Sequence, residues 1–333
     1  ATLRRQRQMC IRDSFNTIPM RLLLIGCTGL VGRGLVPQLQ AAGHQLTVVS
    51  RRPSPAGLVS AQAAQLDWIQ LDPATAASWE PSTPLHEALK LCDGVVNLAG
   101  EPIAEQRWTA QHRLLLESSR LDTTRYLVAA MATLDHPPSV LVNASAVGFY
   151  GTSAEARFDE ASAAGADFLA QLCQGWEQAA AAKPASTRLV QLRIGIVLSA
   201  DGGALAKMLP VFRAGFGGPI GSGRQWMSWI ERSDLCTMIQ TALESDSWSG
   251  AFNAVAPQPV SMATFASSLG RCLGRPSLLP VPGPMLQLLL GDGAKVVLEG
   301  QHVSSTRLES VGFSFRCPTL PVALDVATSS RRR

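Results

Sequence analysis

From Met20 to about Pro257, short uninterrupted apolar runs alternate with stretches whose apolar positions recur every three to four residues. RLLLIG, QLTVVS, DWIQL, GVVNLAG and SVLVNAS read as strands buried on both faces, since a sheet covered on both sides has no polar face to alternate with. LVGRGLVPQLQAAG and the long RWTAQHRLLLESSRLDTTRYLVAAMATL read as the helices between them. This alternation predicts parallel βαβ units and therefore an α/β fold built on a doubly wound parallel sheet. After Ser145 the pattern continues with the helix ADFLAQLCQGWEQAAAA, the strand RLVQLRIGIVL and a glycine-rich passage, FGGPIGSGRQ. Beyond Pro257 the composition shifts toward proline. Residues 258–325 read as a small, mainly helical C-terminal appendage to a main domain over 20–257.

The first strand runs directly into LLLIGCTGLVGRGLV, a glycine turn that opens a helix. In that context Gly26 allows the tight turn, Gly29 lets backbone N–H groups approach a pyrophosphate, and Gly32 lets the helix pack closely on the strand. The helix N-terminus adds positive potential, so Gly26, Thr28, Gly29, Leu30, Val31 and Gly32 form the expected cradle of a Rossmann-type dinucleotide site. The second strand ends in Ser50, Arg51 and Arg52 instead of Asp or Glu. A carboxylate there would hold the ribose 2′-hydroxyl of NAD, whereas arginine suits the 2′-phosphate of NADP. The expected cofactor is NADP(H), with two solvated surface arginines as the alternative. Asp72 either meets the adenine amino group or caps the helix that begins near Pro73. Leu98, Ala99 and Gly100 end the fourth strand at the carboxyl edge of the sheet, where small residues leave room for a ribose.

The chain has 333 residues, 46% of them apolar and 16% charged, enough to bury a large core. No apolar run approaches the ~20 residues of a membrane helix, so no membrane role is expected. The net charge of +4 sits at the ends: the first nineteen residues contribute +3 and Arg331–Arg333 another +3, leaving the body at −2. A nucleic-acid surface is not indicated, because the excess lies on tails and not on a periodic face. Residues 1–19 lack a secretory hydrophobic region and read as an organelle transit segment, a disordered tail or non-native sequence, the last being favoured. Seven cysteines without a CxxC pair, and five scattered histidines, indicate a reducing compartment and no zinc site. The cytoplasm is expected, or the plastid stroma if the source is a photosynthetic eukaryote.

The motifs together resemble the extended short-chain dehydrogenase/reductase superfamily. GCTGLVG resembles its TGxxGxxG fingerprint, NLAG its fourth-strand motif, and NASAVGFYG its fifth-strand serine followed by a YG pair. More narrowly, NLAGEPI, SAVGFYG, DFLAQLCQGWE, RQWMSWI and PVPGPMLQLLLGDGAKVVLEGQHV are similar to a SulA-like epimerase-family branch with its C-terminal domain of unknown function. That resemblance spans Met20 to about Ala327. It is nearest to cyanobacterial and plastid members, which are linked to cell or plastid division, and it implies a homodimer through the two long helices.

Superfamily chemistry uses a serine, a tyrosine that moves the proton, a lysine four residues later and often a helix asparagine. The serine falls on Ser145. The tyrosine and lysine do not match: the two tyrosines, Tyr126 and Tyr150, are followed four residues later by Ala130 and Ala154. Counting back from Glu177, the pair falls on Leu169 and Cys173, and the asparagine on Arg120. Phe168, Leu169, Leu172, Cys173, Trp176 and Ala180 form one inward helical stripe, so both substituted positions face the site. Cys173 reads as a core cysteine with no cation beside it. Tyr150, with Arg120 or Arg193 stabilising its phenolate or a substrate anion, is the candidate replacement acid, and Glu101 is a second. Arg224, Gln225, Trp226 and Ser228 offer groups for substrate binding. Members of the branch carry a histidine after SWI, where this chain has Glu231.

Two functions follow from these readings. One is an atypical NADP(H)-dependent, epimerase-like oxidoreductase acting on a small molecule through Ser145 and Tyr150. The other is a non-catalytic NADP(H)-binding regulator or redox sensor with a division-related protein partner.

Overall fold

The computed structural model describes residues 18–53 and 66–329; the expectations placed on the first seventeen residues and on the closing arginines lie outside them. In chain order the strands are β1 (Arg21–Ile25), β2 (Gln45–Ser50), β3 (Leu66–Gln70), β4 (Gly94–Asn97), β5 (Val140–Ala146), β6 (Arg157–Phe158), β7 (Arg188–Ile194), β8 (Ile196–Leu198), β9 (Trp226–Met227), β10 (Trp229–Glu231), β11 (Gly250–Ala254), β12 (Val260–Ser261) and β13 (His302–Val303). The helices are α1 (Gly32–Ala41), α2 (Pro84–Leu91), α3 (Ala110–Ala132), α4 (Phe168–Ala181), α5 (Gly203–Arg213), α6 (Arg232–Glu244), α7 (Met262–Leu273), α8 (Gly283–Leu290), α9 (Lys295–Leu298), α10 (Thr306–Ser310) and α11 (Leu320–Ser329).

Seven strands form one sheet in the order β11-β7-β5-β4-β1-β2-β3, and every neighbouring pair is parallel. The apolar runs sit where their composition places them: Leu22 to Ile25 are at most 1% exposed. Leu22 and Leu24 point to the layer of α1 and α6, where Leu35, Leu39 and Ile239 lie; Leu23 and Ile25 point to the layer of α2 and α3, with Leu85 and Leu127. Burial of each such side chain is worth roughly 1.5–3 kcal/mol. The register brings the strand ends level, with Ile25 beside Asn97, Asn97 beside Asn143, and Ser145 beside Arg193.

The run RLVQLRIGIVL is not one strand. Gly195 breaks it, because a Cβ there would stand 2.5 Å from the Ser228 carbonyl oxygen, and β8 leaves the sheet to pair with β10. The C-terminal helices share a core with the chain before them: Phe265 and Leu269 of α7 and Leu324 of α11 pack with Leu205, Leu209 and Phe212 of α5. No residue of α8 is buried, despite its sequence GPMLQLLL. Among the described residues no helix is long and apolar enough to cross a membrane, and no group of three or more His, Cys, Asp or Glu side chains is placed to hold a metal ion.

Candidate functional site

The glycine turn between β1 and α1 has the shape its sequence demands. Gly26 adopts φ +75°, and a Cβ on it would come within 2.5 Å of the Ala99 nitrogen, so the turn presses directly on the end of β4. A Cβ on Gly32 would lie 1.8 Å from the Cys27 carbonyl oxygen, which fixes helix against strand. At Gly29 the nearest atom would be 3.8 Å away, leaving that side open to an approaching ligand. No side chain caps the N-terminus of α1; the Arg33 and Gly34 N–H groups donate to the Gly29 and Val31 carbonyls, and the positive end of the helix dipole favours an anion. The side chain of Asn97 holds the turn after β4, donating to Thr124 Oγ1 and Asn143 Oδ1 while accepting the Ala99 N–H.

Arg51 and Arg52 are exposed at the carboxyl end of β2. Ser50 is buried and its Oγ accepts the Arg52 N–H, which fixes the strand end. Arg51 pairs with Glu101, 3.2 Å away beyond β4; because β1 lies between β2 and β4, this ion pair spans the glycine turn. Asp72 is exposed, and its Oδ1 accepts the Ala74 N–H in a local turn; the next helical turn, Ala76–Trp79, has Thr75 at its N-cap position, so Asp72 does not cap it. The residues of the turn, the open face at Gly29 and the arginines thus suit a dinucleotide with a 2′-phosphate.

A cavity of about 700 Å³ opens beyond the turn, between the sheet edge and the C-terminal segment. Val31, Leu98, Ala99, Gly100, Arg120 and Ser145 line one end of it, and Lys295, Val296 and Glu299 of the C-terminal segment line the other. Leu169 and Cys173 face it from α4, as the helical stripe predicts. The Cys173 thiol is pushed up to about 12, chiefly by burial and against the influence of Arg120. Here the sequence reading needs correction: a cation does lie beside Cys173, because α3 packs on α4 and delivers Arg120 to that place. Gly100 packs on Arg120, a Cβ there coming 2.8 Å from Arg120 Cζ, and Leu98, Ala99 and Gly100 all line the cavity.

Ser145 is 2% exposed and donates to Glu177 Oε1 at 2.7 Å. Arg193 holds the same carboxylate with two bonds, Nε to Oε1 at 2.8 Å and Nη2 to Oε2 at 2.9 Å. Arg193 also donates through Nη1 to the Tyr150 hydroxyl at 2.9 Å, and that hydroxyl donates to Asn253 Oδ1 at 2.6 Å. Tyr150 stacks on Phe158 and is 3% exposed. Burial raises its phenol above the ordinary value despite Arg193. Burial opposes the Arg193 charge, but the bonds to Glu177 and Tyr150 outweigh it and push the guanidinium up.

Neither Tyr150 nor Arg193 lines the cavity. The placement therefore corrects the expectation of a Tyr150 acid assisted by Arg193. The short 3₁₀ turn Val147–Tyr150 rotates the phenol toward Asn253 and away from Ser145. Glu101 does not line the cavity either, being engaged with Arg51. Of the proposed substrate group, Trp226 and Ser228 line it, whereas Arg224 is exposed elsewhere and Gln225 donates to the Ile220 and Val297 carbonyls. Trp226 Nε1 donates to the Ala154 carbonyl. Glu231 has a structural part, accepting the Ser233 N–H as the N-cap of α6.

The sequence reading missed Asn253, Trp108, Arg113 and the C-terminal residues at this site. Trp108 directly precedes Thr109, the N-cap of α3; the cap shows where the helix starts but not that Trp108 faces the cavity. Lys295 and Glu299 carry no local signal, because only the tertiary fold brings them opposite α4.

The NAD-dependent epimerase/dehydratase family matches residues 22–254, and a domain of unknown function, DUF1731, matches residues 281–327. The chain is 40% identical over 313 residues to the chloroplastic epimerase family protein SDR39U1 homolog of Arabidopsis thaliana, covering 93% of this chain and 87% of that one. It is 39% identical over 309 residues to human epimerase family protein SDR39U1, covering 92% and 98%. A crystal structure of human SDR39U1 isoform 2 with NADPH superposes with a TM-score of 0.82 at 38% identity, covering 93% of this chain and 99% of that one. The chain belongs to the NAD-dependent epimerase/dehydratase family.

Proposed function

We propose that the protein is an NADP(H)-dependent oxidoreductase of the epimerase type, acting on a small molecule held between the sheet edge and the C-terminal segment. One observation carries this reading: a single largely apolar cavity runs from Val31, at the glycine turn, past Ser145 to Lys295 and Glu299. The solved human relative that contains NADPH, and Arg51 and Arg52 after β2, support NADP(H) over NAD(H).

When bound, the cofactor supplies or accepts a hydride. The glycine turn and the α1 N-terminus hold its pyrophosphate, and Arg51, released from Glu101, meets the 2′-phosphate. Ser145 orients the reacting group with its lone pairs, its own hydrogen being directed at Glu177. Arg120 stabilises negative charge developing in the cavity. Leu169, Leu172 and Trp176 make the α4 wall of the cavity apolar. The proton that the superfamily tyrosine would move is exchanged with solvent, since no phenol faces the cavity.

A second reading is favoured by Leu169 and Cys173 standing where the tyrosine and lysine would be. Under it the protein binds NADP(H) without turnover and reports redox state, with a division-related protein as the partner that the SulA-like resemblance suggests. The deciding experiment incubates the NADPH-saturated protein with a panel of small carbonyl compounds and follows nicotinamide absorbance. Oxidation that depends on Ser145 and Arg120 supports the enzyme. Tight NADPH binding with no oxidation by any compound supports the regulator.

A further inference from the structure

Three acids face the cavity, and each is engaged. Asp167 caps α4 by accepting the Ala170 N–H, Asp292 accepts from Arg113 at 2.5 Å, and Glu299 accepts from Thr152 at 2.7 Å. Arg120 is different. It is 8% exposed, and among the described residues its guanidinium donates to two backbone carbonyls, Leu116 at 3.1 Å and Glu101 at 2.9 Å, and makes no ion pair. A guanidinium has five N–H donors, so most of its bonding capacity is unspent.

Its position is rigid. Trp176 lies against it with 5.3 Å between Cζ and the ring centroid, and the Gly100 backbone presses so close that no side chain fits between. A buried cation with no carboxylate in direct contact is costly, and burial lowers this one to about 10 although the Glu101 charge opposes the shift. Such a cost is offset when an anion arrives. Ser145 complements it: with its hydrogen given to Glu177, its Oγ offers lone pairs to whatever lies in the cavity. Around both groups the walls are apolar, with Trp108, Phe168 and Leu169 on one side.

We infer that the cavity takes a small organic acid with an apolar body, its carboxylate on Arg120, a hydroxyl or other donor toward Ser145 Oγ, and its body against Trp108, Phe168 and Leu169. This assignment rests on reading the cavity as the substrate site beside bound NADP(H). A carboxylate fits better than a phosphate ester, because one planar fork matches one planar, singly charged group; of the other cations that line the cavity, Arg113 is held by Asp292 and Lys295 belongs to the C-terminal segment.

The test uses the full chain, free and saturated with NADP⁺, titrated with hexanoate, 3-phenylpropionate, their amides and hexyl phosphate. Binding is read by fluorescence of the cavity tryptophans. The expected result is acids binding at least about tenfold tighter than their amides, a preference that Arg120→Gln reduces to about twofold or less. Arg120→Lys, which keeps the charge, retains a preference of at least about threefold. NADP⁺ affinity stays within about threefold in both variants, a readout that separates substrate binding from cofactor binding. Equal binding of acids and amides by the unaltered protein overturns the proposal, as does an acid preference that survives Arg120→Gln. Tighter binding of hexyl phosphate overturns it as well. Failure of NADP⁺ to bind at all overturns the functional reading instead, and the acid preference of the free protein still decides the assignment of Arg120.

Discussion

Ser145 donates a 2.7 Å hydrogen bond to Glu177, and the same carboxylate is clasped on both oxygens by the buried Arg193. The serine at the cavity is therefore anchored to an ion pair that reaches, through Tyr150 and Asn253, to the Ser304 carbonyl of the C-terminal segment. Replacing one partner leaves the other charge buried without compensation. Glu177→Gln is expected to destabilise the protein by about 3–5 kcal/mol in urea unfolding, and Ser145→Ala by only about 1 kcal/mol.

Tyr150→Phe removes a hydroxyl that both donates and accepts, so a loss of about 1–3 kcal/mol of stability is expected. NADPH affinity should stay within about twofold, because the phenol does not face the cavity. A large fall in turnover without loss of stability would restore Tyr150 as the proton donor.

The inward stripe of α4 and the glycine turn were legible from the sequence, because periodicity and steric demand are local properties. The orientation of Tyr150 was not. It stands five positions after Ser145, but Gly151 at φ +71° and the preceding 3₁₀ turn decide where it points, and its partner Asn253 is 103 residues away. Arg120 was placed at the superfamily's asparagine position by counting helix positions. Its place beside Cys173 depends on how α3 packs on α4, which no spacing within one helix can reveal.

That packing gives a physical reason for the missing lysine. Cys173→Lys would set a second buried cation beside Arg120 and is expected to cost about 3 kcal/mol or more, against about 1–2 for Cys173→Ala. Thermal unfolding of the two variants checks this. Parity between them would mean that the two positions are not electrostatically coupled.

Cys173 and Cys236 are both pushed up to about 12 by burial, from an ordinary thiol value of 9.0. Their neutral forms are favoured in the folded chain, so the stability they contribute is full below pH 9.0 and is lost as pH rises from there toward about 12. Urea unfolding midpoints are expected to hold steady from neutrality to the ordinary thiol value and then fall. Thiol alkylation of Cys173 in the folded protein should be slow at neutral pH. A midpoint that rises in alkali would contradict the buried placement.

The most direct measurement is calorimetric titration of NADPH and NADH into the protein and into the Arg51→Ala, Arg52→Ala double variant. NADPH should bind at least about tenfold more tightly than NADH, and the double variant should erase that gap while keeping the weaker NADH affinity. Equal affinity for the two dinucleotides, or no binding of either, would contradict an NADP(H) site at the glycine turn.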